Sequence, residues 1–212
     1  MAPREGLPFV EFLGSDTVEL RTTSGSGSWK IHRKLLESKC KALESAFSND
    51  FSESTSGQYT FNETTHDTVA RFIEWCYKGE YTDVELTPME VPQPEQKKSK
   101  SVESEPTSGE NKTLQAHTLL CHLRVYIFSD TYLVPELNNL AFGKFTAVLR
   151  DMGKPNNLDE QLAVIDCLSL AFSKLPQHDT LPGWMAQYAA WCLSNLRLQQ
   201  NFHELQLEYE DL

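Results

Sequence analysis

The stretch from Pro88 to Lys112 limits most strongly how this chain can fold. It mixes prolines with serine, glutamate and lysine, and no aromatic residue lies between Tyr81 and Tyr126. So few apolar side chains cannot offset the conformational entropy that is lost on ordering. We therefore predict a disordered insertion at about residues 86–113. It separates a first half with mixed strands and helices from a second half that is helical throughout.

The first half alternates short extended runs with amphipathic helices. Gly25 and Gly27 lie between the first two runs and suit the reversal of a β-hairpin. We predict strands at residues 17–21, 29–31, 58–61 and 80–82. One helix is predicted over residues 35–47, where apolar side chains repeat with a helical period and the polar residues 52–57 follow. A second is predicted to begin at Thr64 or Thr65 and to end at Gly79.

The second half shows four apolar stripes with helical spacing. They lie at residues 116–127, 137–148, 162–172 and 184–191. Asn157 with Glu160 three residues later resembles a capping box and predicts the start of the third helix. Pro182 suits the first position of a last long helix. That helix carries the aromatic side chains of Trp184, Tyr188 and Trp191, which suit either a core seam against residues 165 and 172 or a groove for a partner peptide.

Charge and cysteine content restrict the partners and the compartment. The net charge is −11, with 30 acidic residues against 19 basic ones, which disfavours nucleic acid and anionic membrane surfaces and leaves proteins as partners. The sequence has neither an apolar signal segment at its start nor an apolar stretch long enough to span a bilayer. The five cysteines are widely spaced, so we predict reduced, buried thiols. These features favour a location in the cytoplasm or the nucleus.

Four segments follow one another in the order of a known family. They are Asp16–Leu20 with Ile31–Leu36, Ser38–Phe47 with Phe51–Ser54, Val69–Tyr81, and Val125–Leu133. Together they resemble the BTB/POZ domain. The resemblance implies an α+β fold with an amino-terminal hairpin in a small sheet surrounded by helices, over residues 10–150. The helical residues 156–212 resemble the carboxy-terminal extensions of stand-alone fungal members of that family.

Three departures from the family pattern accompany this resemblance. Ser129 and Thr131 replace the alanine and lysine of the family, and the predicted insertion stands where many members have a short loop. Pro3 and Pro8 argue against the amino-terminal helix that swaps between subunits in many animal members. A swapped dimer is therefore not expected.

The resemblance implies a protein-interaction module without enzymatic activity. We expect such a module to be either an adaptor for a cullin-type ubiquitin ligase or a stand-alone structural or transcription-associated oligomerisation domain. Phe51-Ser52-Glu53 matches the hydrophobic-x-Glu motif that faces the cullin in adaptors of the family. The alternative is that Phe51 caps the core and Glu53 is solvated. Asp16 and Arg33 resemble the charged-pocket pair of BTB transcription factors, or else form a plain hydrogen-bonded pair.

Other histidine and cysteine patterns point only weakly to chemistry. His32 stands at a strand-to-helix junction with no nucleophile near it in sequence, which favours a structural role. His117 and Cys121 have the i, i+4 spacing of metal ligands, with His122 adjacent, but the sequence supplies no third or fourth ligand at a suitable spacing. Adjacent residues on a helix point about 100° apart, so Cys121 and His122 would not meet as nucleophile and base. We therefore expect no catalytic site, no metal and no cofactor.

Overall fold

The computed structural model describes residues 9–23, 25, 27–48, 52–83 and 117–209, so the predicted insertion lies outside the described residues. The fold is mixed α+β, with one small sheet and a majority of helices. The strands are β1 (Thr17–Thr22), β2 (Ser28–His32) and β3 (Gln58–Phe61). The first half has helices α1 (Phe9–Leu13), α2 (Arg33–Lys39), α3 (Lys41–Ser48), α4 (Ser52–Ser56) and α5 (His66–Lys78). The second half has α6 (Thr118–Thr131), α7 (Pro135–Met152), α8 (Leu158–Lys174), α9 (Thr180–Trp191), α10 (Leu193–Leu196) and α11 (Gln200–Glu208).

The sheet has the order β2-β1-β3, with β1 antiparallel to β2 and parallel to β3. This confirms the predicted amino-terminal hairpin. Val18 and Leu20 of β1 are buried, whereas Glu19 and Arg21 alternate with them and point away from the core. Because side chains alternate across a strand, one face of the sheet packs on the core and the other faces solvent.

Helix α5 forms where its sequence signals predicted it. The side chain of Thr65 accepts a hydrogen bond from the Thr68 N–H and caps the first turn. Gly79 ends the helix in the left-handed conformation, with φ at 74°, which glycine adopts without a Cβ clash. Phe72 lies in the core formed by both halves of the chain, as does Leu123 on α6.

The helix predicted over residues 35–47 is broken at Cys40, which has the extended backbone angles φ −138° and ψ 101°. The apolar period is nevertheless correct, because Leu36, Cys40, Leu43 and Phe47 are all buried. The thiol of Cys40 lies 3.6 Å from the carbonyl oxygen of Tyr132. The polar stretch that follows does not merely end the helix, since it forms the single turn of α4.

The strand predicted at residues 80–82 is wrong, because side chains occupy the backbone groups that a neighbouring strand would need. The Glu74 carboxylate accepts hydrogen bonds from the N–H and the hydroxyl of Thr82, at 2.8 and 3.0 Å. The Thr82 carbonyl accepts from Nε of Arg71 at 3.2 Å. Residues 80–83 are therefore held in an irregular conformation by side chains of α5, and this segment is called here the strap.

The argument from Pro3 and Pro8 against an amino-terminal helix is wrong for the residues that follow Pro8, because α1 begins at Phe9. Proline is tolerated at the start of a helix, where its missing N–H needs no partner. Helix α1 is only five residues long and packs on α2 of its own chain. Its burial comes mainly from Phe12.

The second half begins with the α6–α7 hairpin, against which α8 packs. The predicted helix start at Asn157 is confirmed, since its side chain accepts from the Glu160 N–H at 2.9 Å; the Glu160 carboxylate accepts from the N–H of Asn156, one residue before the N-cap, at 2.9 Å. The predicted last long helix is instead divided into α9, α10 and α11. Helix α9 begins before Pro182, with Asp179 as its N-cap. Buried side chains of both halves form one continuous core.

Candidate protein-interaction surface

Only one residue of the predicted cullin-facing pair is described, because Phe51 lies outside the described residues. Glu53 is partly buried in the first turn of α4. The Gly57 N–H donates to the Glu53 carbonyl at 2.9 Å, and the Gly57 carbonyl accepts from the Glu19 N–H at 2.8 Å. Gly57 has φ at 66°, where a side chain would be strained. These bonds fix α4, and with it Glu53, to the edge of β1.

Asp16 and Arg33 are adjacent, but their side chains have different surroundings. The Arg33 N–H donates to the Asp16 carbonyl at 2.8 Å and extends the β1–β2 ladder by one pair. The Arg33 guanidinium donates instead to Glu37 and to the Phe47 carbonyl, each at 2.7 Å. The side chain of Asp16 is exposed. The structure therefore brings the two residues together through the backbone, and the proposed charged pocket stays a prediction.

Val10 and Leu13 of α1 and Tyr77 of α5 are exposed apolar side chains on two helices that the Phe12–Tyr77 ring contact joins, and they are called here the α1 surface. Val10 is 80% exposed and Leu13 is 48% exposed. Phe12 is buried on another face of α1, and its ring contacts those of Tyr77 and His32 edge-on. The Tyr77 oxygen lies 2.6 Å from Nδ1 of His32, which joins α5 to the end of β2. The sequence prediction does not include this surface. Four of the five residues of α1 are apolar, however, and a helix of five residues cannot turn all of them towards the core.

The aromatic stripe on α9 is divided between core and surface. Tyr188 is buried, and its hydroxyl donates to the Gly153 carbonyl at 2.6 Å. Trp184 stacks on Tyr188. Trp191 is 54% exposed, with the Lys154 ammonium 5.2 Å from its ring centre. Tyr188 therefore lies in the core and Trp191 does not, while the predicted contact of this stripe with residues 165 and 172 stays a prediction.

The three histidines singled out by the sequence have structural contacts. His32 bonds to Tyr77, and Nδ1 of His117 accepts from the Leu119 N–H and caps α6. His122 is buried beside Tyr81. Among the residues that the structure describes, no group of three or more His, Cys, Asp or Glu could hold a metal ion.

All five cysteines are buried and unpaired by disulfides, which confirms the prediction of reduced, buried thiols. Burial raises the pKa of the thiols of Cys40, Cys76, Cys167 and Cys192. Because the thiolate is the reactive form, these four thiols are poor nucleophiles near neutral pH.

The strap after Gly79 is held by a network of polar groups, of which Arg71 is buried and Asp83 is exposed. Lys144 of α7 donates to the Tyr81 carbonyl at 3.1 Å and to the Asp83 carboxylate at 2.9 Å. Arg71, whose side chain is 1% exposed, donates to the Thr82 carbonyl from α5. This network fixes the point at which the chain leaves the described first half.

None of the described helices has the length and apolarity that crossing a bilayer requires. No protein-family model matches this chain, and no curated protein is similar enough to count as a match.

Proposed function

We propose that this chain is a non-enzymatic protein-interaction module with a BTB/POZ fold. The amino-terminal hairpin, the small three-stranded sheet and the surrounding helices are the features that the resemblance implies, and they support this proposal. The helices after residue 156 then form the extension. The buried thiols and the structural contacts of His32 and His117 are in keeping with a role that requires no chemistry.

The α1 surface is the observation that carries the proposal. Single exposed apolar side chains are common on soluble proteins, but a contiguous group of them marks a site of association. The buried ring of Phe12 packs on Tyr77 and anchors α1, which carries Val10 and Leu13, beside α5. This arrangement favours binding of another protein, including a second copy of the chain.

The oligomerisation route is tested by size-exclusion chromatography with light scattering. We expect a mass near twice the 24.1 kDa of the chain, and a return to the monomer mass in Leu13→Glu. The matched control is Leu207→Glu, which places the same charge at an exposed leucine of α11. A wild-type protein that stays monomeric at high concentration would contradict oligomerisation through the α1 surface.

The adaptor route is tested by a pull-down with a cullin scaffold. Glu53 stands on α4, which is fixed to β1, so its position does not depend on the binding partner. Cullin binding by the wild-type chain would support an adaptor of a ubiquitin ligase. Oligomerisation without cullin binding would favour a stand-alone structural or transcription-associated domain.

A further inference from the structure

A cavity of about 620 Å³ lies between the end of α8, the first turns of α9 and the end of α11. Phe172 lines it from α8, Pro182 and Ala186 line it from α9, and Glu208 lines it from α11. Pro182 and Ala186 are spaced i, i+4 and so lie on one face of α9. The volume falls within the range for small-molecule sites. None of these residues belongs to the α1 surface, so the cavity is a separate candidate site.

The lining of this cavity is mainly apolar and includes two aromatic rings. The ring centres of Phe172 and Tyr209 lie 5.4 Å apart, and the ring planes are inclined by 51°. Both side chains are only partly buried, so parts of the rings are open to a ligand. Leu175 and Pro182 are buried and complete the apolar lining. Because the face of an aromatic ring is electrostatically negative, such a wall attracts a cation.

The cavity also carries one negative charge. Glu208 is the one charged side chain among the described lining residues, and it forms no ion pair within the described part of the chain. Burial and the neighbouring Glu208 carboxylate raise the pKa of the Tyr209 phenol, so this carboxylate lies beside one of the two rings. A phenol that keeps its proton is neutral and does not cancel the charge of Glu208.

The helix ends around the cavity add to this negative potential. Glu208 is the last residue of α11, and no basic residue stands in the last turn of that helix. The carboxyl end of a helix has a partial negative charge, which disfavours a carboxylate there and favours a cation. Helix α8 also ends at the cavity, and Lys174 in its last turn is paired with Glu63 outside the lining. Helix α9 begins there, but the carboxylate of Asp179 caps its positive end by accepting from the Leu181 N–H.

The polarity of the lining decides which kind of cation fits. Besides Glu208, the polar side chains among the described lining residues are those of Gln177 and Tyr209. A primary ammonium has three N–H donors and is strongly hydrated, so these few groups would not replace its water shell. A quaternary ammonium has no N–H to satisfy, and its methyl groups can contact the rings and the buried side chains of Leu175 and Pro182.

We propose that this cavity binds a small quaternary ammonium compound. The methylated cation lies against the rings of Phe172 and Tyr209, and the Glu208 carboxylate neutralises its charge. Such a ligand contacts α8, α9 and α11 together and so stabilises their packing. The site depends neither on oligomerisation through the α1 surface nor on a cullin.

The test is a titration of the full chain with choline, followed by nuclear magnetic resonance of the backbone amides. A ligand of this size at ordinary efficiency per atom binds with a Kd of about 1 mM. We expect the largest shifts at the residues that line the cavity. The alcohol 3,3-dimethylbutan-1-ol has the shape of choline without its charge, and ethanolamine has the charge without the methyl groups. Each should bind at least about tenfold more weakly than choline.

Three variants assign the binding to this cavity. Glu208→Gln should weaken choline binding by about tenfold, whereas Glu136→Gln, the same change of charge at an exposed residue of α7, should leave it unchanged. Phe172→Leu keeps an apolar side chain without the ring and should also weaken binding by about tenfold. A Cβ added at Gly183 would meet no atom within 4 Å, so Gly183→Leu fits without a clash, fills the cavity and should abolish the shifts.

The proposal is overturned if the wild-type chain shows no binding at about 10 mM choline, which is tenfold above that Kd. Equal affinities for choline and the uncharged alcohol, or of the Glu208 and Glu136 variants for choline, would overturn it as well. Ethanolamine that binds as tightly as choline would show that the site does not select a quaternary ammonium.

Discussion

The phenol oxygen of Tyr81 lies 2.9 Å from Nδ1 of His122 and joins the end of the strap to α6. Burial raises the pKa of Tyr81, so the phenol keeps its proton, and the tautomer of His122 decides which of the two groups donates. The other ring nitrogen, Nε2, is buried and has no hydrogen-bond partner among the described residues. The nearest carboxylate oxygen, in Asp83, is 3.8 Å from Nε2.

The burial of His122 makes the fold sensitive to acid. Burial lowers the pKa of His122 from 6.5 to about 4; Asp83 opposes this shift, whereas Lys144 and Arg71 add to it. Between these two pH values the unfolded chain binds the proton and the folded chain does not, so stability falls as the pH falls. A shift of this size corresponds to a loss of about 3 kcal/mol between pH 6.5 and pH 4.

We expect His122→Gln to flatten the dependence of the unfolding free energy on pH in that window. His203→Gln, at an exposed histidine of α11, is the matched control and should keep the wild-type slope. Urea unfolding at several pH values measures both. An unchanged slope in His122→Gln would show that other groups cause the acid sensitivity.

Deletion of residues 88–112 should leave the melting temperature nearly unchanged. The remaining eight residues between Asp83 and His117 can span up to about 29 Å. The gap between Asp83 and His117 is shorter than this. Asp83 faces His122, and His117 lies five residues before His122, which is about 7.5 Å along the axis of α6. A fall of more than about 5 °C, measured by circular dichroism, would mean that the deleted segment packs on the domain.

Phe72→Ala should destabilise the fold by about 3–5 kcal/mol, the usual effect of truncating a buried aromatic side chain. Phe72 is fully buried, and its ring centre lies 4.9 Å from that of Phe128 on α6, so the variant leaves a cavity where the two halves meet. Leu207→Ala, at a leucine that is 87% exposed, should change the stability by less than about 0.5 kcal/mol. A loss below about 1 kcal/mol for Phe72→Ala in urea unfolding would contradict this role in the core.

The features that the sequence predicted correctly depend on neighbouring residues. Thr65, Gly79 and the pair Asn157 and Glu160 act within one turn of their own helices, so their positions alone reveal the caps. The extended sequence around Tyr81 predicted a strand by the same local rules. Its actual conformation is decided by Arg71, Glu74 and other distant side chains, which no local pattern contains.

The candidate surface was predictable only in part. The motif around Glu53 is visible in the sequence, but its attachment to β1 depends on the bond between Gly57 and Glu19, 38 positions apart. The α1 surface depends on a helix directly after Pro8, which the presence of the proline argues against in the sequence. Its exposure follows from Phe12 packing on Tyr77 and His32, contacts that form only once β2 and α5 are in place.

If the chain recruits a cullin, we expect the contact to include Phe51 and Glu53. An apolar anchor of this kind is worth about 2 kcal/mol or more on truncation, so Phe51→Ala should weaken binding by about thirtyfold. Glu53→Lys should weaken binding with a marked dependence on salt, because a charge at the rim acts through screened electrostatics. Calorimetry or surface plasmon resonance with a purified cullin at two salt concentrations measures both effects.

The matched control for the charge reversal is Glu136→Lys on α7, where the side chain is 78% exposed. It changes the net charge of the chain by the same amount and should bind like the wild type. Because backbone bonds through Gly57 hold α4 to β1, Glu53→Lys should stay folded. If folded Phe51→Ala binds the cullin as tightly as the wild type, neither α4 nor the residue before it takes part in the contact. Equal losses in Glu53→Lys and Glu136→Lys would reduce the role of Glu53 to net charge alone.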